Sequence, residues 1–339
     1  MKIINIPEPM KIEVADVERP QLKDGYAVIK IEYCGICGGD PNAFCGGNPT
    51  VRYPIIGLGH EGVGYIAEIG ENDRGLKVGD KVTLEPYIPC RHCAQCEKEH
   101  FNNCEHIHVC GVHTTGMMCE YFSHPIELIH KVSDDLPLTQ AVLVEPFTIG
   151  LHAATRVNVG KGDVCLVFGA GVIGLMAAFA IRHYGAEPII VDVVQARLDE
   201  AKEMGFDHVF NSKEQDLLSC LQELTDGHLA DVIIECTGSP FVLKDLHLYC
   251  AYGARVALVG WPKKPVEINT IKCMQREVTI YSSRNSNKKF PEAIELIQNH
   301  FLPAEKIVTN IIRPEQVEET MNDLLENPQN HLKVIVNFS

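Results

Sequence analysis

The sequence predicts an α/β chain of two domains, one β-rich and barrel-like, the other a doubly wound parallel sheet. Three observations carry this expectation. The length, 339 residues, exceeds what one ordinary hydrophobic core organises. From residue 1 to about 148 the chain reads as short strands broken by Gly, Pro and Asp, as at Tyr26 to Tyr33, Gly62 to Ile69 and Lys81 to Leu84. From about 160 strands alternate with helices, the pattern of βαβ units and a parallel sheet.

Element by element, Val164 to Phe168 is an apolar strand run, and a Gly-rich turn leads to a helical stretch from Val172 to Tyr184. A strand over Pro188 to Val191 and a helix from Arg197 to Met204 follow, then strands at Asp231 to Glu235 and Arg255 to Val259. After about 280 the alternation weakens. Phe290 to Asn299 has the spacing of an amphipathic helix and Val334 to Val336 that of a strand, so this tail is expected to return to the first domain. The expected division is 1–148 with 281–339 for the β-rich domain and 149–280 for the parallel sheet.

The composition is that of a globular enzyme, with 45% hydrophobic and 22% charged residues. The formal charge of -15 has no basic stripe within it, which argues against nucleic acid as a partner and leaves a small molecule. No basic segment followed by an apolar stretch opens the chain, and no apolar run is long enough to span a bilayer, so a cytoplasmic location without membrane association is expected. There disulfides are disfavoured, and clusters among the 14 cysteines point to metal or catalysis. The isolated Cys165, Cys220, Cys250 and Cys273 read as small core residues.

Gly169, Gly171 and Gly174, with Val172 and Ile173 between the last two, form a G-x-G-x-x-G directly after an apolar strand and at the start of a helix. In that context the glycines allow a tight turn and close approach of backbone to a pyrophosphate, which meets the helix N-terminus. Asp192 ends the next strand, where a carboxylate hydrogen-bonds a ribose 2′-hydroxyl and repels a 2′-phosphate. NAD is therefore favoured over NADP. Arg197, Thr237 and Gly260 are further candidates for cofactor contact.

Cys90, Cys93, Cys96 and Cys104 follow C-x2-C-x2-C-x7-C in a polar loop with no core of its own. Four thiolates at this spacing can close tetrahedrally on zinc or iron, and the metal would supply the loop's folding energy. Nothing else suggests electron transfer, which favours a structural zinc.

Taken together, Cys34 to Asp40, Gly59-His60-Glu61, the four-cysteine lobe, Val144 to Phe147 and the Gly-rich turn resemble, in order, the zinc-dependent medium-chain alcohol dehydrogenases, in their polyol and sugar-acid branch. The resemblance implies a GroES-like β-barrel catalytic domain and a Rossmann domain. It also implies two zinc ions per subunit, NAD, and a homodimer or homotetramer. Residue by residue it makes Cys37, His60 and Glu145 the ligands of a catalytic zinc, with Glu61 as a nearby or exchanging ligand. Read singly, each residue favours the plainer reading, Cys37 as a buried thiol, His60 as a core histidine and Glu145 as a helix-start carboxylate ahead of Pro146; it is the three in this order that favour a metal site.

Three places depart from the family pattern. Gly39 stands where a Ser or Thr hydroxyl usually relays the substrate proton, and Pro41 and Asn42 stand where relatives often carry His. One extra residue lies in Ile55 to His60, and Gly116 to Tyr121 replaces a Gly-Gly-Phe-Ser/Ala-Glu-Tyr. Ser282 to Asn285 and Lys289 to Pro291 are similar to the L-gulonate or L-galactonate 5-dehydrogenase and starvation-sensing group. There Arg284 could grip a sugar-acid carboxylate in a bidentate pair, or equally make a cofactor or subunit contact. The expected activity is hydride transfer between NAD and a secondary hydroxyl of a sugar acid. The alternatives are a sorbitol-type polyol dehydrogenase, or a catalytically silent relative that keeps its zinc and NAD sites.

Overall fold

The computed structural model describes residues 1–47 and 51–339. The chain divides into one unit of Met1–Glu145 with Phe290–Ser339 and a second of Pro146–Lys289. The divisions thus fall at 145 and 289, where the sequence pattern set them at 148 and 280. The second shift has a clear cause: the strand Thr279–Ser282 completes the parallel sheet, so the chain leaves the second unit only after it.

In the first unit a seven-stranded sheet runs in the order Val308–Ile312, Lys333–Asn337, Tyr26–Gly35, Glu61–Ile69, Lys81–Leu84 and Ile129–Lys131, with Tyr121–Pro125 also paired to Tyr26–Gly35. Tyr26–Gly35 is the hub, antiparallel to three partners along its length. Ala27, Ile29 and Ile31 are fully buried on one face of the strand, and Val28 on the other face is buried as well. Ala27, Ile29 and Ile31 pack with Phe44, Leu58, Ile66, Val82 and Val336. The register sets Gly35 opposite both Glu61 and Ile335. That pairing sets the start of one strand and the return of the distant C-terminal strand on the two flanks of Gly35.

In the second unit six parallel strands run in the order Val209–Asn211, Pro188–Asp192, Cys165–Phe168, Ala230–Glu235, Cys250–Leu258 and Thr279–Ser282. This is the doubly wound order, which leaves a ligand crevice at the carboxyl ends of the central strands. Cys165–Phe168 is buried at every position, explaining its unbroken apolar run. Val172–His183 and Gln195–Glu203 are the helices that follow the first two strands. Cys165 and Cys250 are core residues as expected, whereas Cys220 and Cys273 are only half-buried, each on the partly exposed side of a short helix. Among the described residues no helix is long and apolar enough to cross a membrane.

Candidate metal centre and nucleotide site

The four-cysteine lobe is assembled as the spacing requires. Cys90, Cys93, Cys96 and Cys104 bring their sulfurs within 4.8 Å of one another. The Cys93 and Cys104 sulfurs are 3.9 Å apart, close to the edge of about 3.8 Å expected for a tetrahedron with zinc–sulfur bonds of about 2.3 Å. The backbone N–H of Cys90 donates to the Cys104 sulfur over 3.2 Å. Backbone N–H groups, that of Glu105 foremost, pull the Cys93 thiol down to about 6, toward the thiolate that a metal needs.

The second cluster is gathered from distant segments. Cys37 precedes the short helix Asp40–Phe44, and its N–H donates to the buried Asp40 carboxylate over 2.8 Å. His60 and Glu61 stand at the head of Glu61–Ile69. The donor atoms of Cys37, His60 and Glu61 lie within 4.8 Å of one another. Gly35 makes this possible, because a Cβ there would overlap the Glu61 carboxylate. Glu145, in the first turn of Val144–Arg156, is buried nearby and interacts electrostatically with His60. The structure therefore brings all four residues to one place, with Glu61 rather than Glu145 in the tightest donor triad.

Two residues that motif reading missed complete the centre. Lys333, only 2% exposed, donates to Glu61 Oε1 at 2.6 Å, to Glu61 Oε2, and to the Ile36 carbonyl at 3.0 Å. Burial opposes its charge, but the Glu61 carboxylate and the Cys37 sulfur raise its pKa above the ordinary lysine value. Tyr87, also buried, donates its phenol proton to Glu145 Oε1. Burial and then Glu145 push that phenol well up, so it remains a donor. The one available signal for Lys333 was a lysine directly ahead of the apolar run Val334 to Val336.

The electrostatics fit a divalent cation. Burial opposes charging of His60, yet the Cys37 sulfur and Glu145 carboxylate lift its pKa well above the usual histidine range. Burial pushes the Glu145 carboxyl up to about 7, with Glu61 acting in the same direction. A divalent metal there would bring positive charge among the Cys37 sulfur and the Glu61 and Glu145 carboxyls, where the Lys333 ammonium already bonds Glu61. His60 Nδ1 is buried and lacks a hydrogen-bond partner among the described residues, an unmet demand of the kind a metal or its surroundings satisfies.

In the second unit the turn Gly169 to Gly174 follows Cys165–Phe168, and the Gly169 N–H donates to the Val191 carbonyl over 2.7 Å. A Cβ at Gly174 would overlap the Gly169 carbonyl, so only glycine allows this helix start. The Asp192 carboxylate accepts N–H bonds from Ala170 at 2.7 Å, Val193 at 2.7 Å and Val194 at 2.9 Å. A carboxylate has roughly four acceptor positions, which leaves capacity for a ribose hydroxyl. Thr237 and Gly260 pack together at the ends of the neighbouring strands, and the Arg197 guanidinium lies beside Gly171. The predicted cofactor residues thus share one sheet end. Arg284 belongs to this unit too, just after Thr279–Ser282, where it has interaction partners of its own.

Comparison with known proteins defines the class. Residues 23–134 match the alcohol dehydrogenase GroES-like domain and residues 172–299 the zinc-binding dehydrogenase domain. The chain is 40% identical to an uncharacterized zinc-type alcohol dehydrogenase-like protein of Haemophilus influenzae, over 98% of each chain. It is 31% identical to a sorbitol dehydrogenase of Bacillus subtilis, covering 99% of this chain and 97% of that one. An Escherichia coli alcohol dehydrogenase solved in complex with NADH superposes with a TM-score of 0.93 at 30% identity, covering 100% of this chain and 99% of that one. The chain belongs to the zinc-dependent alcohol dehydrogenase family and is an oxidoreductase.

Proposed function

We propose that this protein oxidises a secondary hydroxyl of a sugar acid of the L-gulonate or L-galactonate type, passing the hydride to NAD, with two zinc ions per subunit. The carrying observation is the partly buried cluster of Cys37, His60 and Glu61 with Glu145 beside it, a donor set that suits a catalytic zinc. A zinc there acts as a Lewis acid that lowers the pKa of a bound alcohol. Cys37 and His60 supply fixed donors, one carboxylate of Glu61 or Glu145 completes three, and the proton leaves to water or to Glu61, since Gly39 brings no hydroxyl. The four-cysteine lobe holds the second, structural ion.

NAD is supported by Asp192, whose charge disfavours a 2′-phosphate, and by the NADH complex of the similar Escherichia coli protein. Arg284 supports an acid substrate. Around it Ser283 Oγ, Asn285 Nδ2 and Ser286 Oγ are buried without hydrogen-bond partners among the described residues, a polar stretch suited to a polyhydroxylated molecule. A neutral polyol substrate is the second reading, favoured by the likeness to sorbitol dehydrogenase. The homodimer or homotetramer finds support in Thr279–Ser282, an edge strand with Ile280 exposed, and in exposed Ile271 and Met274 nearby.

The deciding experiment measures zinc per subunit and NAD reduction with L-gulonate, L-galactonate and D-sorbitol, for the native chain and Arg284→Met. Acid turnover falling about 10- to 100-fold in the variant, with sorbitol little changed, is the expected result. Equal loss for both substrates removes the carboxylate role of Arg284. Zinc in the lobe alone, with no turnover, would select a catalytically silent protein.

A further inference from the structure

Tyr87 stands at the neck of the four-cysteine lobe. The strand Tyr87–Ile88 pairs antiparallel with His108–Val109, Tyr87 opposite Val109 and Ile88 opposite His108. The Cys110 N–H donating to the Pro86 carbonyl at 3.1 Å adds a rung beside them. All four lobe cysteines lie in the segment that this two-stranded ribbon closes, Cys90 just after one strand and Cys104 just before the other. At the same ribbon the Tyr87 side chain turns inward, is 5% exposed, and donates to Glu145 Oε1.

We propose that Tyr87 is a positioning residue that couples the four-cysteine lobe to the metal centre through Glu145. A metal closing the lobe fixes its two ends, and the ends fix the ribbon. The ribbon holds the Tyr87 hydroxyl, and the hydroxyl sets the Glu145 carboxylate beside Cys37, His60 and Glu61. Partners of this kind, bonded to a ligand rather than to the metal, commonly govern metal affinity by 10- to 100-fold. The inference rests on the reading of this cluster as a metal centre. It is separable from a packing role because a buried aromatic ring stabilises without its hydroxyl, whereas the orientation of Glu145 depends on that hydroxyl.

The test uses the full-length protein with cobalt exchanged into the centre and zinc kept in the lobe, comparing the native chain, Tyr87→Phe, Tyr87→Leu and Glu145→Gln. Cobalt release to a chelator and the cobalt ligand-field spectrum are read for each. Tyr87→Phe should release cobalt about 10- to 100-fold faster with a shifted spectrum and an unchanged lobe metal. Adding Glu145→Gln to it should change little more. In the native chain, stripping the lobe zinc should speed cobalt loss, and Tyr87→Phe should abolish that dependence. Native release and spectrum in Tyr87→Phe, with only Tyr87→Leu perturbed, would reduce Tyr87 to packing and overturn the coupling. A native chain that binds metal in the lobe alone would sink the metal-centre reading and the coupling together.

Discussion

The two cysteine-containing clusters are built in opposite ways. The lobe takes its four donors from residues 90–104, an almost closed stretch of sequence with no apolar core, stabilised by its own backbone N–H groups. The centre takes Cys37 from just after the hub strand, His60 and Glu61 from the head of the strand paired at that same end, Glu145 from a helix start, and a lysine partner for Glu61 from Lys333. A local cluster needs little from the rest of the fold and should fail when one donor is lost. A dispersed cluster is held by the sheet itself and should keep its shape while losing charge balance.

The sharpest way to break this contrast is Cys96→Ala. With one thiolate gone the lobe loses its metal, and with it the folding energy that metal binding supplies, on the order of 5 kcal/mol or more. Thermal unfolding and metal content per chain should show both losses. A variant that kept native metal and melting temperature would refute the lobe's dependence on its ion.

Lys333→Met perturbs the centre instead. It leaves Glu61 buried without its cation, which should destabilise the metal-free protein by about 3–5 kcal/mol in denaturant unfolding. With divalent metal present the loss should shrink, since the ion supplies the missing positive charge, and the lobe metal should remain. Equal losses with and without metal would separate Glu61 from the centre.

The smallest effect is a pH dependence outside both clusters. Burial lowers the pKa of His124 to about 4, its Nε2 donating to the Glu85 carbonyl at 2.9 Å. Because the folded value lies below the unfolded one of about 6.5, this contribution is complete above pH 6.5 and is lost as pH falls toward 4. The loss is at most about 1.4 kcal/mol per pH unit for the one proton involved. His124→Gln should flatten the stability profile across that window, measured by unfolding at fixed pH values. An unchanged slope would place the acid sensitivity elsewhere, with His152, which burial also lowers to about 4, the next candidate.

The same contrast explains what was legible in the sequence. The lobe and the Gly-rich turn could be read from spacing alone, because their geometry is local: sulfurs within one loop, and glycines between a strand and its helix. Strands such as Lys81–Leu84 and helices such as Val172–His183 were also visible, through period and apolar runs. Cys250–Leu258 begins well before the pattern at 255 suggests, since Tyr252 and Gly253 break its apolar rhythm at a shift in register with the neighbouring strand. The centre was legible only through resemblance, and its two supporting residues were not. Lys333 lies 272 positions from Glu61, and only the pairing of Gly35 with both Glu61 and Ile335 brings them together. Tyr87 looked like an ordinary residue ahead of the lobe because its partner is a carboxylate 58 positions on.

That long span also orders events during synthesis. Chains emerge from the ribosome N-terminus first, at about 5–20 residues per second. The four lobe thiols are all outside once residue 104 has cleared the tunnel, whereas the Glu61 carboxylate has no ammonium to meet until residue 333 has followed. Until then the nascent protein carries a complete set of lobe thiols and a Glu61 carboxylate still without its lysine partner.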